Sequence, residues 1–257
     1  MKIKLLNGQF VDQAEMIEKM RDDGFYYGEM GTLAHSSSSI KQLLDSPKTY
    51  RYNQLYGSEQ SQAMRDGWLL HCLILEPEKF GEQEFVDVQS KNTKAYREAK
   101  LNNPNVFTIK EKRDAERLAD ALLRNEQALS LIGDSEFEVP ALGVVDGYAF
   151  RGKADILKNK GGIVDIKTTT DCKNFDKSAA RYWYCVQVYI YCELFNCSYT
   201  DFKFLVIDKN NLDIAIADVS KPFYEYGREM TQRGLAMYET FFEEGAELDQ
   251  YIVRMTL

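Results

Sequence analysis

Gly152-Lys153-Ala154-Asp155-Ile156-Leu157 is followed, three residues on, by Gly161-Gly162-Ile163-Val164-Asp165-Ile166-Lys167-Thr168-Thr169. In an extended strand successive side chains alternate faces, so Asp165 and Lys167 share one face and Ile166 takes the other. Val164 and Ile166 are expected in the core, with the two charges lining a cleft. Asp155 lies in a preceding strand, expected over 150–157, and the Asn159-Lys160-Gly161-Gly162 turn lets that strand pair with the next. Two carboxylates and a lysine then converge, the minimum set for metal-assisted phosphodiester hydrolysis. Taken alone, an Asp-x-Lys at a strand end is more often a solvated edge, so the rest of the chain has to decide.

The flanks extend the pattern in both directions. Upstream, a strand over 135–142 alternates acid and apolar residues, and Val145-Asp146-Gly147 turns it into the strand bearing Arg151, Lys153 and Asp155. Glu136 and Glu138 share a face there and could approach the acids; a solvent-facing surface is the plainer reading. Downstream, a helix expected over 175–195 is rich in aromatic residues. It places Gln187 and Tyr191 four residues apart, on one face. Strands over 201–207 and 213–219 flank an Asp208-Lys209-Asn210-Asn211 turn, and a long helix is expected over 222–244.

Nearer the N-terminus, a serine of Ser36–Ser39 caps a helix with Ile40, Leu43 and Leu44 as its apolar stripe. Ser46-Pro47 ends that helix and starts another, proline being favoured at a first helical position. Residues 61–75 read as an apolar helix carrying His71, one of only two histidines. A satisfied core histidine is the ordinary reading; an imidazole facing a metal is the sharper one. Charged helices are expected over 93–101 and 111–125, with short strands over 85–88 and 107–109. Residues 1–35 read as an N-terminal arm or packing segment, with a helix over 12–21 and a loop over 24–28. Residues 36–257 read as a single domain.

Composition sets the bounds. The 257 residues with 44% hydrophobic content support a real core. A net charge of −8 counts against a surface coated with basic residues, but leaves room for a local basic groove. Five cysteines, an odd number clustered late, with no apolar leader or membrane-length run, lead to the expectation of free thiols in a cytoplasmic protein without a membrane.

His71, the carboxylate strand, Gly-x-x-Asp at 152–155, Asp-x-Lys at 165–167 and Gln-x-x-x-Tyr at 187–191 form an ordered set. In that order and spacing it resembles the RecB-type branch of the PD-(D/E)XK nuclease superfamily. The Ser-x-Ser-x-Ile…Ser-Pro-x-x-Tyr pattern of 37–50 and the run Leu70-His71-Cys72-Leu73-Ile74-Leu75-Glu76-Pro77 resemble exodeoxyribonuclease VIII (RecE-type) nuclease domains and their phage relatives. The resemblance covers about residues 36–240. Ala154 stands before Asp155 where the superfamily name has proline.

The resemblance implies an α/β (α+β) fold: a central mixed sheet flanked by helices, with a restriction-endonuclease-like core. It implies Mg²⁺, or Mn²⁺, held by His71, Asp155, Asp165 and the backbone carbonyl of Ile166. Lys167 would orient or deprotonate the attacking water. Gln187 and Tyr191 would orient the site or the DNA end, and Glu138 is a further candidate acid. It also implies 5′–3′ resection of double-stranded DNA ends by a ring-shaped homo-oligomer, beside a RecT-like single-strand annealing protein. A ring would let Arg151, Lys153, Lys173 and Lys177 line its channel. Beside it stand a sequence-specific restriction enzyme, which would cut closed circular DNA, and two other readings. One is a Cas4- or AddB-like nuclease whose iron–sulfur cluster draws on Cys185, Cys192 and Cys197, with Cys72 or Cys172. The other is a DNA-end-binding module without catalysis on the same fold.

Overall fold

The computed structural model describes residues 1–255. Strands β1 (Lys2–Lys4) and β2 (Phe10–Asp12) form an antiparallel hairpin, followed by helices α1 (Gln13–Lys19), α2 (Asp23–Tyr27) and α3 (Glu29–Leu33). Then come α4 (Ser37–Asp45), α5 (Pro47–Tyr56), α6 (Gln62–Leu75) and α7 (Pro77–Gly81). A two-residue parallel pair, β3 (Phe85–Val86) with β4 (Phe107–Thr108), encloses α8 (Lys94–Asn102) and precedes α9 (Ile109–Arg124) and α10 (Glu126–Ile132). The central sheet follows: β5 (Ser135–Val145), β6 (Tyr148–Lys158), β7 (Ile163–Thr169), β8 (Phe202–Asp208) and β9 (Ile214–Asp218). Helices α11 (Phe175–Arg181) and α12 (Tyr184–Phe195) cross between β7 and β8, and α13 (Lys221–Tyr238) follows the sheet.

The sheet order is β5-β6-β7-β8-β9, antiparallel except for the parallel pair β7–β8. Asp146 and Gly147, with φ of 46° and 88°, make the β5–β6 turn, where a left-handed pair matches the strand twist. Helices cover both faces. Phe202, Phe204, Val206 and Ile163 pack under α12, α13 and α4; Val164, Ile166, Leu205 and Ile207 pack under α6, α9 and α10. The expected placement of Val164 and Ile166 in the core is observed. The face carrying Asp165 is covered as well, and Asp165 is only 1% exposed. It lies at a buried interface rather than along an open cleft.

Sequence spacing and structure part company at identifiable places. The helix expected over 175–195 is two helices, because Trp183 turns the chain left-handed at φ 53° between α11 and α12. The loop expected over 24–28 is α2, started by the Asp22 carboxylate accepting from Phe25 N–H. Ile109, expected at a strand end, starts α9 because Thr108 and Glu111 form a reciprocal capping box. The C-terminal helix leaves the α register at Tyr238 and closes in a π-helical turn, Glu239–Glu243. No helix among the described residues is long and apolar enough to cross a membrane.

Residues 1–34 bury Ile3, Leu5, Met20 and Met30 against Leu142 and Ala149 of β5 and β6. They extend the fold along its β5 edge and bring α2 toward the middle of the sheet.

The α12–α13 contact is a backbone contact. A Cβ added at Gly227 would sit 2.0 Å from the Cys185 carbonyl oxygen. Gly227→Ala is expected to lose about 1–3 kcal/mol of stability by overpacking, read as a lower urea midpoint at unchanged slope.

Candidate metal centre

The centre forms where the β6–β7 ladder stops. The two strands pair only at Ile156–Val164 and Leu157–Ile163. Beyond that point the strands splay, and the Ile166 N–H, left without a ladder partner, donates to Asp155 Oδ2 at 2.9 Å. The alternation of β6 also fails here. Ala154 packs on the α12 side and Ile156, two residues on, on the α6 side. Across in β5, the residue opposite Asp155 is Glu138, held left-handed at φ 49°. Such backbone in a non-glycine costs on the order of 1–3 kcal/mol and concentrates at functional sites. It turns the Glu138 carboxylate toward Asp155, while Glu136 stays exposed.

From the other face, α6 delivers His71. Its Nε2 lies 2.7 Å from the Ile166 carbonyl oxygen and its Nδ1 3.3 Å from Asp155 Oδ2. Ligand atoms of His71, Glu138 and Asp155 all lie within 4.8 Å of one another, the one such group of metal-binding side chains among the described residues. All five cysteines are free and outside it.

Asp165 lies on the α12 side. Gln187 Nε2 donates to its Oδ1 at 2.6 Å, and Lys167 pairs with its Oδ2. That Oδ2 is buried and accepts no other hydrogen bond. The Lys167 ammonium rests 5.1 Å from the centre of the Tyr184 ring, and the Lys41 ammonium, from α4, rests 5.2 Å from the same ring.

Of the residues singled out in the sequence, the structure gathers His71, Asp155, Glu138 and the Ile166 carbonyl in one place. Asp165, Lys167 and Gln187 form a second group across β7. Tyr191 lies close enough to feel Asp165 and Asp155 but hydrogen-bonds to neither group. Its ring packs under Gly152, and its hydroxyl accepts from Lys153 N–H at 3.4 Å, so it buttresses β6. Arg151 and Lys153, pictured as channel residues, are instead buried. Arg151 donates to the Met30 carbonyl at 3.1 Å, and Lys153 pairs with Asp23 of α2. Lys173 and Lys177 are exposed.

The electrostatics suit a divalent cation. Burial, and then the Asp155 charge, push Glu138 up to about 8. Burial and Asp165 raise Asp155, and His71 only partly offsets them. Two unit charges no more than 4.8 Å apart repel by at least about 3 kcal/mol at an effective dielectric near 20. Burial disfavours the Lys167 charge, yet Asp165 and Asp155 hold it above the usual lysine value, so it is an ammonium at neutral pH. Carboxylates and a carbonyl oxygen fit a hard divalent cation, and one imidazole is compatible with Mn²⁺.

Sequence reading missed Lys41. It follows the buried Ile40 and stands four residues after the buried Ser37, at the margin of the packed face of α4, a position visible on a helical wheel.

A family model described as "PDDEXK-like domain of unknown function (DUF3799)" matches residues 36–248, and the chain belongs to that family. The "Putative exonuclease" of Eubacterium rectale shares the fold, with TM-score 0.66 and 17% identity over 92% of this chain and 95% of that one. A phage related exonuclease of Haemophilus somnus is more distant, with TM-score 0.38 and 12% identity over 82% of this chain and 96% of that one. No curated protein matches the sequence.

Glu138 and Asp155 bind protons more tightly when folded than unfolded. Their contribution to stability is full below the ordinary carboxylate range and is lost as pH rises through about 8 for Glu138. In EDTA, the melting temperature is therefore expected to fall from pH 5 to pH 8. Glu138→Gln should flatten that fall, by up to a few kcal/mol in stability at pH 8. Parallel melting curves of the two proteins check it.

Proposed function

We propose that the chain is a divalent-metal-dependent deoxyribonuclease, and within that class a 5′–3′ exonuclease. It would resect linear double-stranded DNA for recombination by single-strand annealing. The observation that carries the reading is the convergence of His71, Glu138 and Asp155 beside the Ile166 carbonyl, with the Asp165–Lys167–Gln187 group across the same strand. The family assignment and the shared fold support it.

His71, Glu138, Asp155 and the Ile166 carbonyl would hold Mg²⁺, or Mn²⁺, with Asp165 close by. Such a cation would supply Lewis-acid chemistry, polarising the scissile phosphate and lowering the pKa of its water. Lys167 keeps its proton, so its part is to hold a phosphate oxygen or the water and to oppose negative charge in the transition state. Gln187 fixes the Asp165 carboxylate so that Lys167 has a single resting place. A DNA-binding module without catalysis has no need of that arrangement. An iron–sulfur nuclease would need cysteines gathered, and none joins the metal-binding group.

Double-stranded DNA ends, a ring-shaped homo-oligomer and a RecT-like annealing partner belong to the same proposal. In such a ring the exposed Lys173 and Lys177 are the lysines free to face DNA, since Lys153 is occupied by Asp23. Light scattering that finds a monomer at assay concentration overturns the ring.

With Mg²⁺ or Mn²⁺, linear duplex is expected to release acid-soluble nucleotides, while closed circular duplex survives. Lys167→Ala and Asp155→Asn should each lower release on the order of a hundredfold or more. Cleavage of the circle would point to an endonuclease, and no metal-dependent release from the wild type would refute the hydrolase.

A further inference from the structure

We propose that Lys41 is a second phosphate-holding lysine of this site, its ammonium and that of Lys167 together gripping the non-bridging oxygens of a DNA phosphodiester. The proposal rests on the nuclease reading and adds a residue and a ligand contact to it.

The geometry carries it. Both ammonium groups rest on one ring, Lys167 at 5.1 Å and Lys41 at 5.2 Å from the Tyr184 centre. Lys167 has a carboxylate partner in Asp165, which is also tied to Gln187. Among the described residues, no carboxylate lies within ion-pairing distance of Lys41. Asp165 and Asp155 thus both act on Lys167, while Lys41 is left without a direct counter-ion. A ring face is a weak counterpart for a desolvated ammonium. The lysines elsewhere in the interior are handled differently: Lys153 is paired with Asp23, and Lys79 with Asp23 and Glu76. An uncompensated charge beside the candidate centre suits an anion arriving from outside, and DNA brings one on every phosphate.

The alternative is that Lys41 merely lays its stem along the α4–α12 packing and sends its head toward water. The two differ in DNA binding. Burial and the Lys167 charge already push Lys41 down to about 8, so its surroundings disfavour the ammonium. Replacing it by methionine keeps the stem and removes the charge. Either reading leaves the melting temperature equal or higher, since the stem survives and a disfavoured charge is lost; only a phosphate-holding lysine also weakens DNA binding when replaced.

The test is fluorescence anisotropy of a labelled duplex oligonucleotide in EDTA, titrated across NaCl concentrations. Lys41→Met is expected to bind more weakly, with the slope of log K against log salt reduced by about one; Lys41→Arg is expected to keep the wild-type slope. A Lys41→Met variant with wild-type affinity and slope overturns the contact, as does a wild type with no binding. If Lys41→Met does not fold, Lys41→Gln replaces it under the same criteria. Nucleotide release by the wild type with Mg²⁺ or Mn²⁺ is scored separately. Binding with the altered slope but no release refutes the hydrolase alone. Release by the wild type, with Lys41→Met unchanged in slope and turnover, refutes the Lys41 contact alone.

Discussion

A single hydrogen bond ends the β6–β7 ladder and opens the centre. The Ile166 N–H, whose ladder partner would lie near Ala154, is taken by the Asp155 carboxylate instead. A side chain in place of a backbone carbonyl keeps the buried donor satisfied while the strands part. The parting frees the Ile166 carbonyl for His71, which approaches from the α6 side. One peptide unit, with its N–H on one acid and its C=O on one imidazole, therefore fixes the relative positions of two ligands. Closing the ladder would bury Asp155 without a partner and strand His71.

The same place concentrates cost. Glu138 is left-handed in mid-strand, and it faces Asp155 across a gap too short for two comfortable charges. Lys153 would be the natural counter-ion, but its distance to Glu138 is 4.0 Å and its close partner is Asp23. Asp23 comes from α2, in the segment that precedes the family match at residue 36. The N-terminal segment thus draws Lys153 toward Asp23 and leaves the acid pair only partly compensated. Packing holds the segment in place: Met30 and Tyr26 pin it over β5 and β6, and Arg151 donates to the Met30 carbonyl.

Local rules were legible where one interaction decides. The Ser36 cap, the Pro47 start, the Asp146-Gly147 turn and the apolar residues of β7 all follow from spacing alone. The residues that the structure gathers, His71 and Asp155, could be named because their types are rare or charged in apolar runs. What escaped depends on tertiary context. Trp183 breaks a continuous aromatic pattern by adopting a left-handed backbone that no propensity favours. Glu138 shared the face of Glu136 under strict alternation, and only its left-handed twist separates a site residue from a solvent-facing one. Gln187 and Tyr191 lie on one helix face, yet Gln187 reaches Asp165 while Tyr191 stops at the backbone of β6, because Gly152 lets the ring settle there. Sharing a face sets direction, and the reach of each side chain decides which partner it meets.

The net charge of −8 illustrates why a sum is a poor guide to a site. The acids and bases are not mixed evenly around the centre; they are sorted by strand face. On the α6 side, Glu138 and Asp155 outnumber their cations, which suits a divalent ion. On the α12 side, Lys167 and Lys41 outnumber Asp165, which suits an anion. β7 separates the two by the thickness of one backbone, and the Asp165-Ile166-Lys167 tripeptide presents something to each side. A ligand that is negative and hydrolysed with the help of a cation would satisfy both imbalances at once. The sorting follows from the alternation of β7 and from the failure of alternation in β6 at Asp155, so the proposed chemistry is rooted in a strand, β7, that stops pairing with β6 one residue before its acid.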